Sequence, residues 1–166
     1  MNAYDIRTLF DYCCWVNQRI LQAALQVTPE QFTAPNTSSY GSLRGTLVHT
    51  LRAEMIWRRR LQGDPMPTGL PTETDFPTPQ SLAAAWEAEQ PLMRAYLDSL
   101  GDADLQTFLD YKNTKGAPFR NLRGSILTHV VNHGTQHRAE AAAMLTDFGH
   151  SPGDIDMILY FREQGL

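Results

Sequence analysis

The chain is 166 residues long, enough for a single domain over residues 1–166 with a real core. Apolar residues make up 42% and charged residues 19%, the balance of a globular chain rather than a disordered one. Its 14 basic residues against 18 acidic ones leave a net charge of −4, which excludes a broad footprint for DNA or RNA, because that needs Lys and Arg massed on one face.

Taken in chain order, the first apolar series is Ile6, Leu9, Cys13, Val16, Ile20, Ala24 and Val27. Steps of three and four predict an amphipathic helix, ending near Thr28-Pro29 because a residue before proline disfavours helix. The chain's two cysteines, Cys13 and Cys14, are neighbours within it. Adjacent helical residues point apart, so a disulfide framework is excluded and a reducing, cytoplasmic setting is expected. The first residues have no basic stretch followed by an apolar one, as a secretory signal would, and no window reaches the roughly 18 apolar residues of a membrane span.

Asn36 to Gly41 reads as a polar connection. A second helix is expected from Ser42, its N-cap, through Leu43, Leu47, Leu51, Met55 and Trp57, stopping at Gly63. Arg58, Arg59 and Arg60 near its end fan over roughly 200° of helix surface, so they make no single basic patch and are expected to be solvated, with buried stems. Residues 64–79 hold five prolines and predict a long, extended connector. A third helix is expected from Thr78 or Ser81 to Leu100, with Pro91 kinking it. Residues 105–120 are ambiguous, with a short hairpin possible around Asn113 to Gly116. A fourth helix runs from about Leu122 to Phe148, and a last short one from Asp154 to Glu163. The fold class is therefore all-α: a four-helix bundle with long connections and a short C-terminal helix.

Bundles build metal sites from side chains on facing helices. The run from His129 to Arg138 offers His129, His133 and His137 at helical spacing, and residues four apart sit roughly 5–6 Å apart on one face. Spacing alone does not choose between 129/133 and 133/137. The seam Ile126, Val130, His133, His137, Ala141, Met144 and Phe148 favours the second pair. His49, one turn before Ala53 and Ile56, has an inward face on the second helix. His150 follows a helix-stop glycine and reads as a loop residue. Three neutral imidazoles would leave a coordination position for a reactant, which separates a catalytic site from a structural one.

The segment Ser42 to Gly63, with Leu47-Val48-His49, Ala53-Glu54, Trp57 and the closing Gly63, resembles the second helix of the DinB-like proteins. The run His129 to Glu140 is similar to that family's most recognisable motif. The first-helix stretch Tyr12 to Leu21 and the ending Gly149, Pro152, Asp156 and Tyr160 match it as well. The resemblance covers nearly the whole chain and departs from the family pattern at Gln136 and Ala139. It implies a four-helix bundle, often a homodimer, with one divalent ion held by His49, His133 and His137. Zinc and nickel are the ions expected, although imidazole suits copper and iron too.

Members of that family include thiol-dependent transferases and a thiol-dependent isomerase. A small-molecule substrate and a low-molecular-weight thiol are therefore expected partners, since a metal-bound thiol is a thiolate at neutral pH. Water in the same place would give hydrolysis. A general base is not evident: Glu54 and Glu140 are nearest in sequence, and Glu140 could face the site or solvent. Arg138 is expected to pair with Glu54 or Asp156; Tyr40 and Trp57 could line the pocket, with the core or rim the expected place. The alternative is a non-catalytic metal-binding stress-response bundle with a closed site.

Overall fold

Asn2 starts the helical part of the chain. Its side chain accepts from the Asp5 amide while the Asp5 carboxylate accepts from the Asn2 amide, so two free donors at the start of helix α1 (Ala3–Ala24) are satisfied. These features are described by a computed structural model covering residues 1–165; Leu166, the last residue of the expected domain, lies outside the described residues.

The expected helix end at Thr28-Pro29 is instead a new beginning. α1 stops at Ala24, and Thr28 caps a short helix α2 (Pro29–Thr33) with Pro29 in its first turn. Proline there supplies a helical φ, and its missing N–H was an unpaired donor in any case. Phe32 on α2 is fully buried.

Helix α3 (Leu43–Gln62) begins as expected at Ser42, whose hydroxyl accepts from the Gly45 amide at 2.9 Å, and ends at Gly63 with φ 74°. Helix α4 (Pro79–Asp98), capped by Thr78, continues through Pro91, which leaves the Glu87 carbonyl without its helical donor. Strands β1 (Phe108–Lys112) and β2 (Pro118–Leu122) form an antiparallel hairpin with Asp110 opposite Arg120. Helix α5 (Arg123–Asp147) follows without a break. Helix α6 (Met157–Gln164) starts three residues later than expected, because Asp156 is its cap and Gly153 has φ 77°. The architecture is thus a bundle of four long helices with two short helices and a two-stranded sheet added.

Side-chain pairs give the helix directions. Met1 meets Thr128 and Cys13 meets Arg138, so α1 and α5 run parallel. Glu54 meets Trp86 and Arg58 meets Glu89, so α3 and α4 are parallel to each other. His49 meets His133 while Arg123 reaches the Leu61 carbonyl, so α3 and α5 are antiparallel. The order is up-down-down-up. It requires the proline-rich connector to return along α3: Arg59 binds the Pro65 carbonyl at one end, and Arg44 pairs with Glu73 at the other.

Trp86, Phe32, Leu47, Leu51, Leu82, Leu97, Leu127 and Leu145 fill the centre. Truncating one such side chain to alanine costs about 2–5 kcal/mol. Two cations are buried among them. Arg138, 3% exposed, reaches Asn17, the Cys13 sulfur and, at 3.9 Å, Glu54. Arg58 corrects the expectation of three solvated arginines: it is buried and pairs with the equally buried Glu89. Position 58 faces α4, and the side chain can go in there because Glu89 meets it.

Candidate metal centre

α3 and α5 pack antiparallel, and this brings His49 near the start of one helix against the middle of the other. His49, His133 and His137 place their ring nitrogens within 4.8 Å of one another. The Nε2 atoms of His49 and His133 are 3.0 Å apart. Two nitrogens bound to one ion at 2.0–2.1 Å in tetrahedral geometry would lie roughly 3.3 Å apart, so the spacing fits a shared ion with a small adjustment. His129 is exposed and sits against Trp57, ring centroids 5.5 Å apart, outside the group of three. His150 is in the loop after α5.

The protonation states suit metal binding. Burial, then the neighbouring imidazoles, pull His49 from 6.5 down to about 4; burial, then His137 and His129, do the same to His133. Both are neutral at pH 7 and have lone pairs to give. Nδ1 of His137 lies 2.8 Å from Oε2 of Glu140. Burial pushes the Glu140 carboxyl up, but hydrogen bonds from His137 and Ser39 outweigh it and hold the carboxyl below its ordinary value. An ionised carboxylate can only accept, so Nδ1 of His137 carries a proton and Nε2 is the nitrogen left to face an ion. Nδ1 of His49 is buried with no partner among the described residues. The residues present fit a divalent transition ion: one ion would satisfy the three facing nitrogens together, where a hydrogen bond can join only two.

Tyr40 covers one side. Its ring stacks on His49 with centroids 3.7 Å apart and meets His137 edge-on at 5.2 Å. Gly45 permits this arrangement. A Cβ at position 45 would stand 2.2 Å from the Tyr40 carbonyl oxygen, so only glycine lets the preceding loop lie against the first turn of α3. The same loop carries Ser39, whose hydroxyl donates to Glu140 at 2.9 Å. Among the described residues no carboxylate or thiol joins the three histidines as a fourth ligand. On the other side a cleft of about 440 Å³ opens, lined by His49, His133, Arg52, Ile56, Trp57 and Arg60. Thr114, in the hairpin turn, lines the same cleft, and Tyr111 on β1 meets Trp57 at 5.1 Å.

The geometry settles Glu140, which could have faced the site or solvent: it holds His137. Tyr40 and Trp57, expected in the core or rim, instead roof His49 and line the cleft, respectively. Ser39 was missed entirely, because its contact with Glu140 spans 101 positions of sequence. The cysteines lie elsewhere. Burial raises Cys13, and it pushes Cys14 up to about 12, so both stay thiols at neutral pH.

The DinB family model matches residues 1–165. Protein DinB of Bacillus subtilis (strain 168) is 25% identical over 156 residues, which cover 92% of this chain and 91% of that protein. A conserved protein from Enterococcus faecalis, known from a crystal structure, shares the fold with a TM-score of 0.62 at 16% identity; the match covers 82% of this chain and 92% of that one.

Proposed function

The chain belongs to the DinB family, and from that premise we propose that it is a metal-dependent enzyme acting on a small molecule through His49, His133 and His137. The observation that carries the reading is the convergence of three histidine rings, two of them held neutral by their surroundings, beside an open cleft and with no fourth protein ligand among the described residues. A divalent ion held there, zinc or nickel by preference, supplies Lewis-acid chemistry and lowers the pKa of a bound thiol or water.

The chain's own residues do the rest. Glu140 fixes the tautomer and orientation of His137. Tyr40 shields the His49 ring from solvent on one side, which leaves the Arg52–Trp57 side as the approach for reactants. Cys13 and Cys14 are protonated and away from the histidines, so a nucleophilic thiol has to come from a low-molecular-weight partner. The reaction class is then thiol transfer, or hydrolysis where water takes the thiol's place. The alternative of a closed, non-catalytic site lacks the fourth ligand it would need among the described residues.

A cytoplasmic homodimer is part of the proposal. No described helix is long and apolar enough to cross a membrane, and Tyr4 on α1 and Leu92 on α4 leave large apolar side chains exposed for a second copy. Light scattering at micromolar concentration tests it, and a monomer alone would contradict it. The catalytic reading is tested with cobalt-loaded protein titrated with a small monothiol. A sulfur-to-cobalt charge-transfer band is expected in the wild type and in His129→Ala. A visible spectrum indifferent to thiol would show a closed site and sink the enzyme reading.

A further inference from the structure

Two cations in the cleft beside the histidines have no anionic partner among the described residues. Arg44, Arg58, Arg94 and Arg138 each meet a carboxylate. Arg52 and Arg60, both half-buried, make no ion pair among the described residues, and the Arg60 Nε is buried without a hydrogen-bond partner. Among the described residues, no acidic side chain lines this cleft. Taking the Arg60 Nε out of water with no acceptor beside it is unfavourable unless a bound group supplies one. The nearest carboxylate of the centre, Glu140, is engaged by His137 and Ser39.

The spacing is regular. Positions 49, 52, 53, 56, 57 and 60 follow steps of three and one, so they form one stripe along α3. At a rise of 1.5 Å per residue, Arg52 stands roughly 4–5 Å and Arg60 roughly 16 Å beyond His49 along the axis. Between the two arginines lie Ile56 and the Trp57 ring, an apolar and flat floor. The Arg60 guanidinium rests over Trp57 at 4.8 Å, which holds its stem while leaving its edge donors available. The cleft therefore reads, from the histidines outward, as a cation, an apolar floor and a second cation.

The geometry points to an elongated organic dianion as the small molecule this cleft takes, its two carboxylates meeting Arg52 and Arg60 and its apolar middle lying over Ile56 and Trp57. This deepens the proposed function by naming the charge and shape of the reactant, and it rests on that reading only in placing the reacting end at His49 and His133. A second carboxylate clamp also orients the molecule, because planar guanidinium groups grip carboxylates in two-point fashion.

The test is calorimetric titration of the full chain, metal-free and zinc-loaded, with adipate and suberate, and with adipamide as the uncharged control. Binding of the dicarboxylates is expected in both forms and tighter with zinc present. Arg52→Gln and Arg60→Gln should each weaken it roughly tenfold or more. Arg52→Lys and Arg60→Lys should recover part of the loss, and Arg120→Gln, on the exposed hairpin, should change nothing. Equal binding of adipamide, equal losses in Arg120→Gln, or no dicarboxylate binding at millimolar concentration would overturn the inference. If zinc fails to bind but the dicarboxylates still bind through the arginines, the metal reading falls and this one stands. If zinc binds and the arginine variants match the wild type, this inference alone falls.

Discussion

Glu140→Ala should weaken zinc binding roughly ten- to a hundredfold, about 1.4–2.7 kcal/mol. Glu140 touches the ion's site only through His137: its Oε2 accepts from Nδ1 at 2.8 Å, while Oε1 accepts from the Ser39 hydroxyl at 2.9 Å. Removing the carboxylate frees the His137 ring to rotate and to shift its proton to Nε2, the nitrogen a metal needs bare. Glu140→Gln keeps an acceptor but loses the charge. Charge-assisted hydrogen bonds are roughly twice as strong as neutral ones, so the glutamine variant should lose about half the free energy, a three- to tenfold weakening. The fold itself should scarcely notice, because the Glu140 side chain is 29% exposed and ion pairs in such places contribute about 0–1 kcal/mol. The assay is competition with a chromophoric zinc chelator at pH 7.5, alongside urea denaturation of the same samples. Zinc affinity of Glu140→Ala within twofold of wild type would refute the second-contact argument, as would a glutamine variant weaker than the alanine one.

Gly45→Ala should destabilise the chain by about 1–3 kcal/mol, the usual cost of overpacking, because its Cβ would lie 2.2 Å from the Tyr40 carbonyl oxygen; an unchanged urea midpoint would show that the loop yields freely. Glu89→Ala leaves Arg58 buried without its main partner. The expected loss is at the low end of about 3–5 kcal/mol, since Gln62 and Asp64 also face the guanidinium, and a loss under 1 kcal/mol would count against a buried pair. Without metal, His49 and His133 titrate near 4 in the folded chain against 6.5 when unfolded. The unfolded chain therefore binds more protons below about 6.5, and stability should be full above that pH and fall as the pH drops towards 4. Urea midpoints measured between pH 7 and 5.5 check this, and a flat profile would contradict it.

The four long helices were legible because each carries its own 3.6-residue apolar pattern and its own stop or start signal, Ser42 and Gly63 being the clearest. α2 was not, because a five-residue helix shows too little periodicity and its Thr28-Pro29 start also reads as a helix end. The burial of Arg58 was hidden for a different reason: it depends on Glu89, thirty-one positions away, facing it across α4. At the site, the seam on α5 pointed to His133 and His137, and the structure brings these two together with His49. Tyr40, Ser39, Arg52 and Arg60 could not be given their roles in advance. Each gains its role from a contact between segments distant in sequence, the loop before α3 against α5 or the α3 stripe against the hairpin.

The most direct measurement is metal content by elemental analysis after zinc loading and desalting, on the wild type, His49→Ala, His133→Ala, His137→Ala and His129→Ala. The account predicts about one ion per chain in the wild type and in His129→Ala, and loss of the ion in the other three, because two imidazoles make an incomplete site. A wild type that takes up no zinc or nickel, or a His129→Ala variant that loses the ion while His137→Ala keeps it, would contradict the three-histidine centre.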